Sequence, residues 1–231
     1  MDEQSLALSF SNSITEDISG IIGDYAELGL DALVEDGLFK DIPIVSTAVA
    51  IYRIGNSIRE RHHVAKLVSF LNEINKRIAD EEKRQSYREK FASNEKFRNQ
   101  ELEYILILID RYISFDKPQM LAKLYLAYLD GKIIWEEFTM YAEVIDRFLL
   151  LDCRTLISEA TTFHTLRDSS ADIILRLVAL GLMVEDKSMS VSEARKVIKG
   201  ETKSASQMSS DSKKRKYRRT DFGRKLADIL R

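Results

Sequence analysis

Several features common in proteins are scarce or absent in this chain of 231 residues. Its single cysteine excludes a disulfide framework and is typical of a reducing, intracellular setting. Two prolines and nine glycines are few for this length, which favours long helices joined by short connections. The first residues lack a signal-peptide pattern, and no uncharged apolar run approaches the roughly 20 residues that a spanning helix needs. We therefore expect a cytoplasmic protein that associates with the inner membrane only conditionally.

The sequence also lacks the motifs of well-known enzyme sites. It contains no Gly-x-Ser-x-Gly motif, no Walker loop and no dinucleotide-binding glycine motif. Cys153 has no histidine at a recognisable spacing, so we expect a small core residue rather than a nucleophile. His62 and His63 are adjacent and would point about 100° apart on a helix, which prevents them from sharing one metal ion. We expect both to be exposed, and we expect a non-enzyme without cofactor or metal.

The front of the chain shows the three-to-four spacing of apolar residues that is typical of helices. One such segment runs from Ile14 to Leu33, and Ser13 with Glu16 matches a capping box at its start. A second begins at Pro43 and continues to Ile78. Proline is favoured in a first helical turn because its missing N–H would have no partner there. Together the two segments predict an N-terminal amphipathic hairpin followed by a long helix.

The middle of the chain predicts a helical bundle with short loops. Residues 80–100 are very polar, and apolar segments then follow one another to about residue 160. Asp130-Gly131 resembles the end of a calcium loop, but Leu126 and Tyr128 stand where carboxylates would be needed. We expect a helix–turn–helix corner there. The predicted divisions of the chain are 1–80 for the hairpin and long helix, 81–150 for the bundle and 151–231 for a C-terminal unit.

The stretch from Lys40 to His63 fits two environments. In a bundle its apolar face would pack inward, and its small residues would let a neighbouring helix approach closely. On a bilayer the same face would contact lipid while nearby arginines reach the phosphates. The charge of Arg53 is costly in lipid unless it faces a pore or a partner, so insertion would require several copies. The residues assigned to this membrane-active element are Ile44, Val45, Ala48, Ile51, Arg53 and Ile58.

A basic run near the C-terminus is the strongest electrostatic feature. The net charge is only −2 although 31% of the residues are charged, so a basic patch must be local. Closely spaced cations bind a phosphate backbone by releasing counterions, and a tyrosine among them could stack on a base. The alternative is a solvated loop. The candidate ligand-binding residues are Lys213, Lys214, Arg215, Lys216, Tyr217, Arg218 and Arg219.

The segments LVALGLMVE and YRRTDFGRKLADIL resemble a winged-helix unit over residues 150–231. In such domains a helix ends in a Leu-Gly-Leu-like step, a β-hairpin wing follows, and a Thr-x-x-Gly helix start packs beneath it. The matching residues are Leu180, Gly181, Leu182, Thr220, Gly223, Leu226 and Leu230. The wing, Val184 to Lys216, is longer than usual, and the helix before it offers little basic surface beyond Arg176 for reading bases. Winged helices also bind proteins, so DNA binding does not follow from the resemblance.

A second resemblance covers residues 37–160. The stretch GLFKDIPIVSTAVAIYRIGNSIRERHHVAKLVSFLNEI, with the later KLYLAYLDGKIIWEEF, is similar to a group of bacterial proteins found near antiphage genes. Their functional parallel is the Hailong-type membrane effectors. The resemblance implies an oligomeric, channel-forming protein that a nucleic-acid-like oligonucleotide holds inactive until infection. It assigns no catalytic or ligand-binding residue in this chain.

Three functions remain as alternatives. The first is a non-enzymatic antiphage defence effector, oligomeric and channel-like at the inner membrane, under the control of a nucleic-acid-like or anionic ligand. The second is a cytosolic winged-helix regulator that binds DNA, and the third is a protein-interaction adaptor. The expected partners are further copies of the chain, an oligonucleotide, the inner membrane and a protein encoded by a neighbouring gene. All three share one predicted fold, mainly α, with a helical bundle, an N-terminal amphipathic hairpin and a small C-terminal winged-helix-like unit.

Overall fold

A computed structural model describes residues 3–17, 42–52, 58–78, 80–164, 170–186 and 215–231. These residues form ten helices and one small sheet of three short strands. Contacts group the chain into two compact units, residues 1–146 and 147–231. The prediction of a mainly helical fold is confirmed.

The first unit contains seven helices among its described residues. They are α1 (Glu3–Thr15), α2 (Pro43–Tyr52), α3 (Ile58–Arg77), α4 (Glu81–Ser93), α5 (Glu95–Arg111), α6 (Asp116–Leu129) and α7 (Trp135–Arg147). The predicted segments 1–80 and 81–150 therefore belong largely to one unit. Helix α3, from the first segment, packs along α6, from the second.

The core of this unit follows from the spacing of apolar residues on α3. Leu67, Leu71 and Ile74 recur at three or four residues and are almost fully buried. Between them, Phe70 places its ring centroid 5.7 Å from that of Phe10 and 6.5 Å from that of Tyr125. Each side chain of this kind contributes about 1.5–3 kcal/mol through burial. Helices α1, α3 and α6 are therefore joined by one apolar centre.

A glycine turn forms the corner between α6 and α7. Gly131 has a φ of +71°, a left-handed conformation that glycine adopts at little cost. Its N–H donates to the Tyr128 carbonyl at 2.9 Å, and the Lys132 N–H donates to the Ala127 carbonyl at 2.9 Å. These two bonds satisfy carbonyls that the end of a helix leaves free. The predicted helix–turn–helix corner is confirmed.

The start of the first helix differs from the prediction. Ser13 lies near the C-terminal end of α1, where its hydroxyl donates to the Ser9 carbonyl at 2.9 Å. The helix lies earlier because Phe10 and Ile14, four residues apart, share one buried face. The predicted capping box at Ser13 is therefore wrong. The remainder of the segment predicted to run to Leu33 falls in residues 18–41, outside the described residues.

The second unit combines helices with the small sheet. Its elements are α8 (Leu150–Ile157), β1 (Phe163–His164), α9 (Ser170–Ala179), β2 (Met183–Glu185), β3 (Lys216–Arg219) and α10 (Asp221–Leu230). The strands are antiparallel in the order β1-β3-β2, with β3 in the middle. Cys153, on α8, is 5% exposed, as expected of a core residue.

Two predicted signals position the strands against α10. Gly181 ends α9 with a φ of +73°, and the Thr220 hydroxyl caps α10 by accepting from the Gly223 N–H at 2.9 Å. The same hydroxyl donates to the Gly181 carbonyl at 2.8 Å, and the Thr220 N–H donates to the Leu182 carbonyl at 3.0 Å. The turn after α9 and the start of α10 are thereby held together.

Candidate functional site

The basic strand β3 alternates between the two faces of the small sheet, as strand geometry requires. Tyr217 and Arg219 are 3% and 8% exposed and lie in the interior of the second unit. Arg218 is exposed on the other face. The opposite strand agrees, because Met183 faces Arg219 and is buried, whereas Val184 faces Arg218 and is exposed. Tyr217 and Arg219 are therefore core residues, which corrects their assignment as ligand contacts.

Arg219 serves the structure of the second unit. Its guanidinium donates to the carbonyls of Leu156 at 2.6 Å, Ala160 at 2.8 Å and Ser158. It also lies 5.0 Å from the ring centroid of Phe163, a cation–π arrangement. The last carbonyls of a helix have no partner within the helix. Arg219 supplies one at the end of α8 and ties β3 to that end.

Three residues of the predicted basic run remain on the accessible side. Arg215 is exposed and lies 3.9 Å from Glu185, and Lys216 lies 3.1 Å from Asp186. Arg218 forms no ion pair within the described part of the chain. An anion could bind Arg218 directly but would compete with a carboxylate for the other two cations. Lys213 and Lys214 lie outside the described residues.

The helix that would read bases in a winged-helix domain presents little that could do so. Arg176, the only cation of α9, uses its Nε and one terminal nitrogen to hold Asp152 at 3.1 and 2.6 Å. Asp152 is fully buried and also accepts from the Leu149 N–H at 3.1 Å. The exposed residues of α9 include Asp172 and Leu175. A carboxylate and a leucine oppose rather than favour contact with a phosphate-lined groove.

The predicted membrane-active element is partly buried in the first unit. Ile44 and Val45, at the start of α2, are 0% and 1% exposed. Ala48 and Ile51 lie within α2, Ile58 begins α3, and Arg53 falls outside the described residues. No helix among the described residues combines the length and the apolar character needed to cross a bilayer.

Two side-chain hydroxyls join α1 to α2. The Ile44 N–H donates to the hydroxyl of Ser13 at 2.9 Å, and the hydroxyl of Thr47 donates to that of Ser9 at 2.7 Å. Ser13 thereby satisfies one of the N–H groups that the first turn of α2 leaves without a partner. Among the described helices, α1 is the principal neighbour of α2. The hold of α2 on the unit therefore runs largely through α1.

An arginine pair on α4, Arg84 and Arg88, holds the end of α1. Arg84 donates to the Glu16 carbonyl at 2.8 Å and to the side-chain oxygen of Asn75 at 3.1 Å. Arg88 donates to the Thr15 carbonyl at 3.0 Å. Sequence analysis missed these residues because α4 is strongly polar and its charges look solvated. Their only signal is a spacing of four residues, which places both on one side of the helix.

A polar seam joins the start of α3 to the end of α5. Lys66 is 3% exposed and donates to the carbonyls of Asp110 at 2.7 Å and Tyr112 at 2.8 Å. Nδ1 of His63 lies 3.2 Å from the Asp110 carboxylate, and Nε2 of His62 lies 2.8 Å from the Ile113 carbonyl. Both histidines are half-buried, which corrects the prediction that they are exposed. Burial lowers the pKa of His63 and of Lys66.

Comparisons with protein-family models, curated proteins and solved structures gave no match. Among the described residues, no three His, Cys, Asp or Glu side chains converge in a way that could hold a metal ion. The candidate sites are therefore the α1–α2 pair and the outer face of β3.

Proposed function

We propose that the protein is a non-enzymatic bacterial antiphage defence effector that acts on the inner membrane as an oligomer. In this proposal the α1–α2 pair is the membrane-active element, and an anionic, nucleic-acid-like ligand controls its release. The observation that carries the proposal is the character of α2. It has no charged residue in its sequence, PIVSTAVAIY, and its principal neighbour among the described helices is α1.

The length of α2 determines how it could act. Ten residues of helix extend about 15 Å, half of the roughly 30 Å hydrocarbon core of a bilayer. A single copy of α2 would therefore lie in the interface rather than cross the membrane. The hydroxyl bonds of Ser13 and Thr47 support a paired arrangement, because small and hydroxyl side chains stabilise helix association in lipid. Several copies would be needed to perforate the bilayer.

The outer face of β3 supplies a contact for the controlling ligand. Arg218 is exposed and forms no ion pair among the described residues. Lys216 and Arg215 precede it in the sequence, but each also lies close to a carboxylate, that of Asp186 and that of Glu185 respectively. A single-stranded oligonucleotide that binds here would release about 0.7 counterion for each phosphate contact. Arg218→Ala should therefore weaken binding of a short oligodeoxynucleotide and reduce the salt slope by about 0.7, whereas Arg147→Ala, also exposed, should do neither.

A fluorescent label on α2 tests the membrane proposal. Ser46 is partly exposed, so Ser46→Cys can carry an environment-sensitive dye in a chain whose natural Cys153 is replaced by serine. With vesicles of bacterial inner-membrane lipid, and with short oligodeoxynucleotides present or absent, the label should become protected from an aqueous quencher in one of the two conditions. Leakage of the vesicles should accompany that protection.

The matched control places the same dye on α4 through Ser86→Cys, an exposed position away from α2. That label should stay accessible to the quencher in every condition. Deletion of residues 1–58 should abolish both leakage and toxicity to cells. If the truncated chain is as toxic as the intact one, or the Ser46 label never becomes protected, the proposal is wrong.

A further inference from the structure

Exposed leucines cluster around the α8–α9 contact of the second unit. Leu149, Leu150 and Leu151 are 54, 41 and 56% exposed, and Leu175 on α9 is 52% exposed. Single exposed leucines are ordinary, but three in succession with a fourth on the adjoining helix are a surface that favours contact with another protein. The function proposed above uses none of them.

The outward face of α8 carries leucines beside a cation. Asp152, Cys153 and Leu156 are buried and define its inner side. At 100° per residue, Leu151 and Arg154 fall on the opposite side, and both are exposed. Arg154 makes no ion pair among the described residues.

The outward face of α9 carries a leucine beside an anion. Ile174 and Leu177 are its buried residues, and Asp172 and Leu175 are exposed on the far side. The pair Asp152–Arg176 joins the two helices, with a closest distance of 2.6 Å. Leu151 and Leu175 each precede one member of that pair in the sequence, so both lie one residue from the contact between α8 and α9.

We infer that this surface binds a second copy of the same chain about a two-fold axis. In such an interface the α8 face of one copy meets the α9 face of the other, and the reverse contact follows by symmetry. Leu150 and Leu151 would cover Leu175, and Arg154 would meet Asp172, twice in each dimer. The surface is complementary to itself in charge, because it carries a cation beside leucines on α8 and an anion beside a leucine on α9.

The contact is modest in strength. Four leucines, one arginine and one aspartate for each copy are far fewer than the roughly 20–30 residues a side of a standard interface. The association is therefore weak and depends on concentration. It deepens the proposed function, which requires an oligomer, but association and vesicle leakage are separate measurements and either can fail alone.

Charge exchange in the full-length chain tests the inference by sedimentation velocity over a range of concentrations. Arg154→Asp and Asp172→Arg each replace an attractive pair by a repulsive one at both symmetric positions. Each should weaken self-association by about tenfold. The double variant should restore it.

A mixture of the two single variants gives the most discriminating test of the proposed pairing. A heterodimer of Arg154→Asp with Asp172→Arg pairs opposite charges at both positions, so the mixture should associate more strongly than either variant alone. If the mixture associates no better than its components, or the single variants match the wild type, the inference is wrong. Equal weakening by the double variant would also overturn it.

Apolar substitutions give a matched comparison. Leu151→Glu should abolish self-association, whereas Met140→Glu on α7, at the same 56% exposure, should leave it unchanged. Circular dichroism checks that both variants stay folded. Equal loss with both variants would show a general effect of added charge and would contradict the assigned surface.

Discussion

Both units place arginine against the C-terminal end of a helix, but they distribute the hydrogen bonds differently. In the second unit Arg219 donates to the carbonyls of Leu156, Ser158 and Ala160, and Arg231 adds bonds to those of Ile157 at 3.1 Å and Ser158 at 3.4 Å. In the first unit two arginines share this role at the end of α1, because Arg84 donates to one carbonyl and Arg88 to another. The second unit therefore concentrates three carbonyls on one buried arginine, which the exposed Arg231 supplements, whereas the first divides two carbonyls between neighbouring arginines.

The difference bears on which part of the molecule can open. Removing Arg219 takes this donor from the carbonyls of Leu156 and Ala160 and leaves the Ser158 carbonyl with Arg231 alone. The loss at the buried Leu156 costs about 1–3 kcal/mol, and the other two add to it. Removing one arginine of the pair leaves the other's hydrogen bond to the end of α1 in place. The end of α1 can thus loosen in steps, which suits a segment that is proposed to leave its unit.

Each unit contains its own probe for testing this comparison. Trp135, the only tryptophan, lies in the first unit in ring contact with Phe138 at 4.7 Å. Cys153, the only cysteine, is buried in the second. Tryptophan fluorescence therefore follows the opening of one unit, and thiol labelling follows that of the other.

The largest effect is expected from Arg219→Met. This change keeps much of the side-chain volume but removes every donor of Arg219, and should cost the second unit about 3 kcal/mol. Labelling of Cys153 should accelerate about a hundredfold, while the Trp135 unfolding transition stays in place. Arg218→Met, one residue away on the exposed face, is the control and should change stability by less than about 0.5 kcal/mol. Equal labelling rates in the two variants would contradict the role of Arg219.

A pair of glycine substitutions compares a blocked site with an open one. A Cβ on Gly223 would lie far inside van der Waals contact with the Leu182 carbonyl oxygen, whereas one on Gly131 would meet nothing within 4 Å. Gly223→Ala should cost about 2–3 kcal/mol through displacement of α10, measured by Cys153 labelling. Gly131→Ala should cost about 1 kcal/mol, from its positive φ alone, measured by Trp135 fluorescence. A larger cost at Gly131 would reverse the comparison.

The arginine pair predicts a non-additive result in the first unit. Arg84→Met should cost about 2 kcal/mol, because it also removes a donor from the side-chain oxygen of Asn75, and Arg88→Met about 1 kcal/mol. The double variant should cost more than their sum, since either arginine alone still holds the end of α1 and only the double variant releases it. Chemical denaturation followed by Trp135 fluorescence measures all three. Strict additivity would indicate that the two arginines act independently.

The smallest predicted effect is a pH dependence of the first unit. Partial burial is the largest influence on the pKa of His63 and lowers it; the nearby Asp110 raises this pKa, whereas Lys66 and Arg59 lower it further. The folded-state pKa is thus below 6.5, the unfolded chain binds the proton more readily, and stability falls as pH drops from 6.5 through the folded value. His63→Gln should flatten this loss between about pH 5 and 7. Asp110→Asn should extend it to lower pH, and an unchanged profile in both variants would exclude His63 as its source.

Local rules predicted much of the fold. The corner at Gly131, the end of α9 at Gly181 and the cap at Thr220 depend on neighbours within a few residues, and all three were correct. Ser13 shows where such rules stop. Its capping box matched, but the hydroxyl instead accepts from the N–H of Ile44, 31 residues away.

The candidate sites were harder to predict because charge alone does not show which way a residue faces. In the basic run, Arg218 and Arg219 differ only by the alternation of a strand that spans four residues. Which of the two is exposed depends on the register with β2, where Met183 is buried and Val184 is not. Arg84 was missed for the same reason, since a cation in a polar helix resembles its solvated neighbours.

The antiparallel pairing of β2 with β3 has a practical consequence for protein engineering. The Asp186 N–H donates to the Lys216 carbonyl at 2.7 Å, so the chain leaves and re-enters the sheet at adjacent points. Doubling the length of a connection between such fixed ends costs only about 0.6 kcal/mol in closure entropy. An affinity tag or a fluorescent reporter domain with neighbouring termini can therefore be spliced into this connection at little cost in folding free energy.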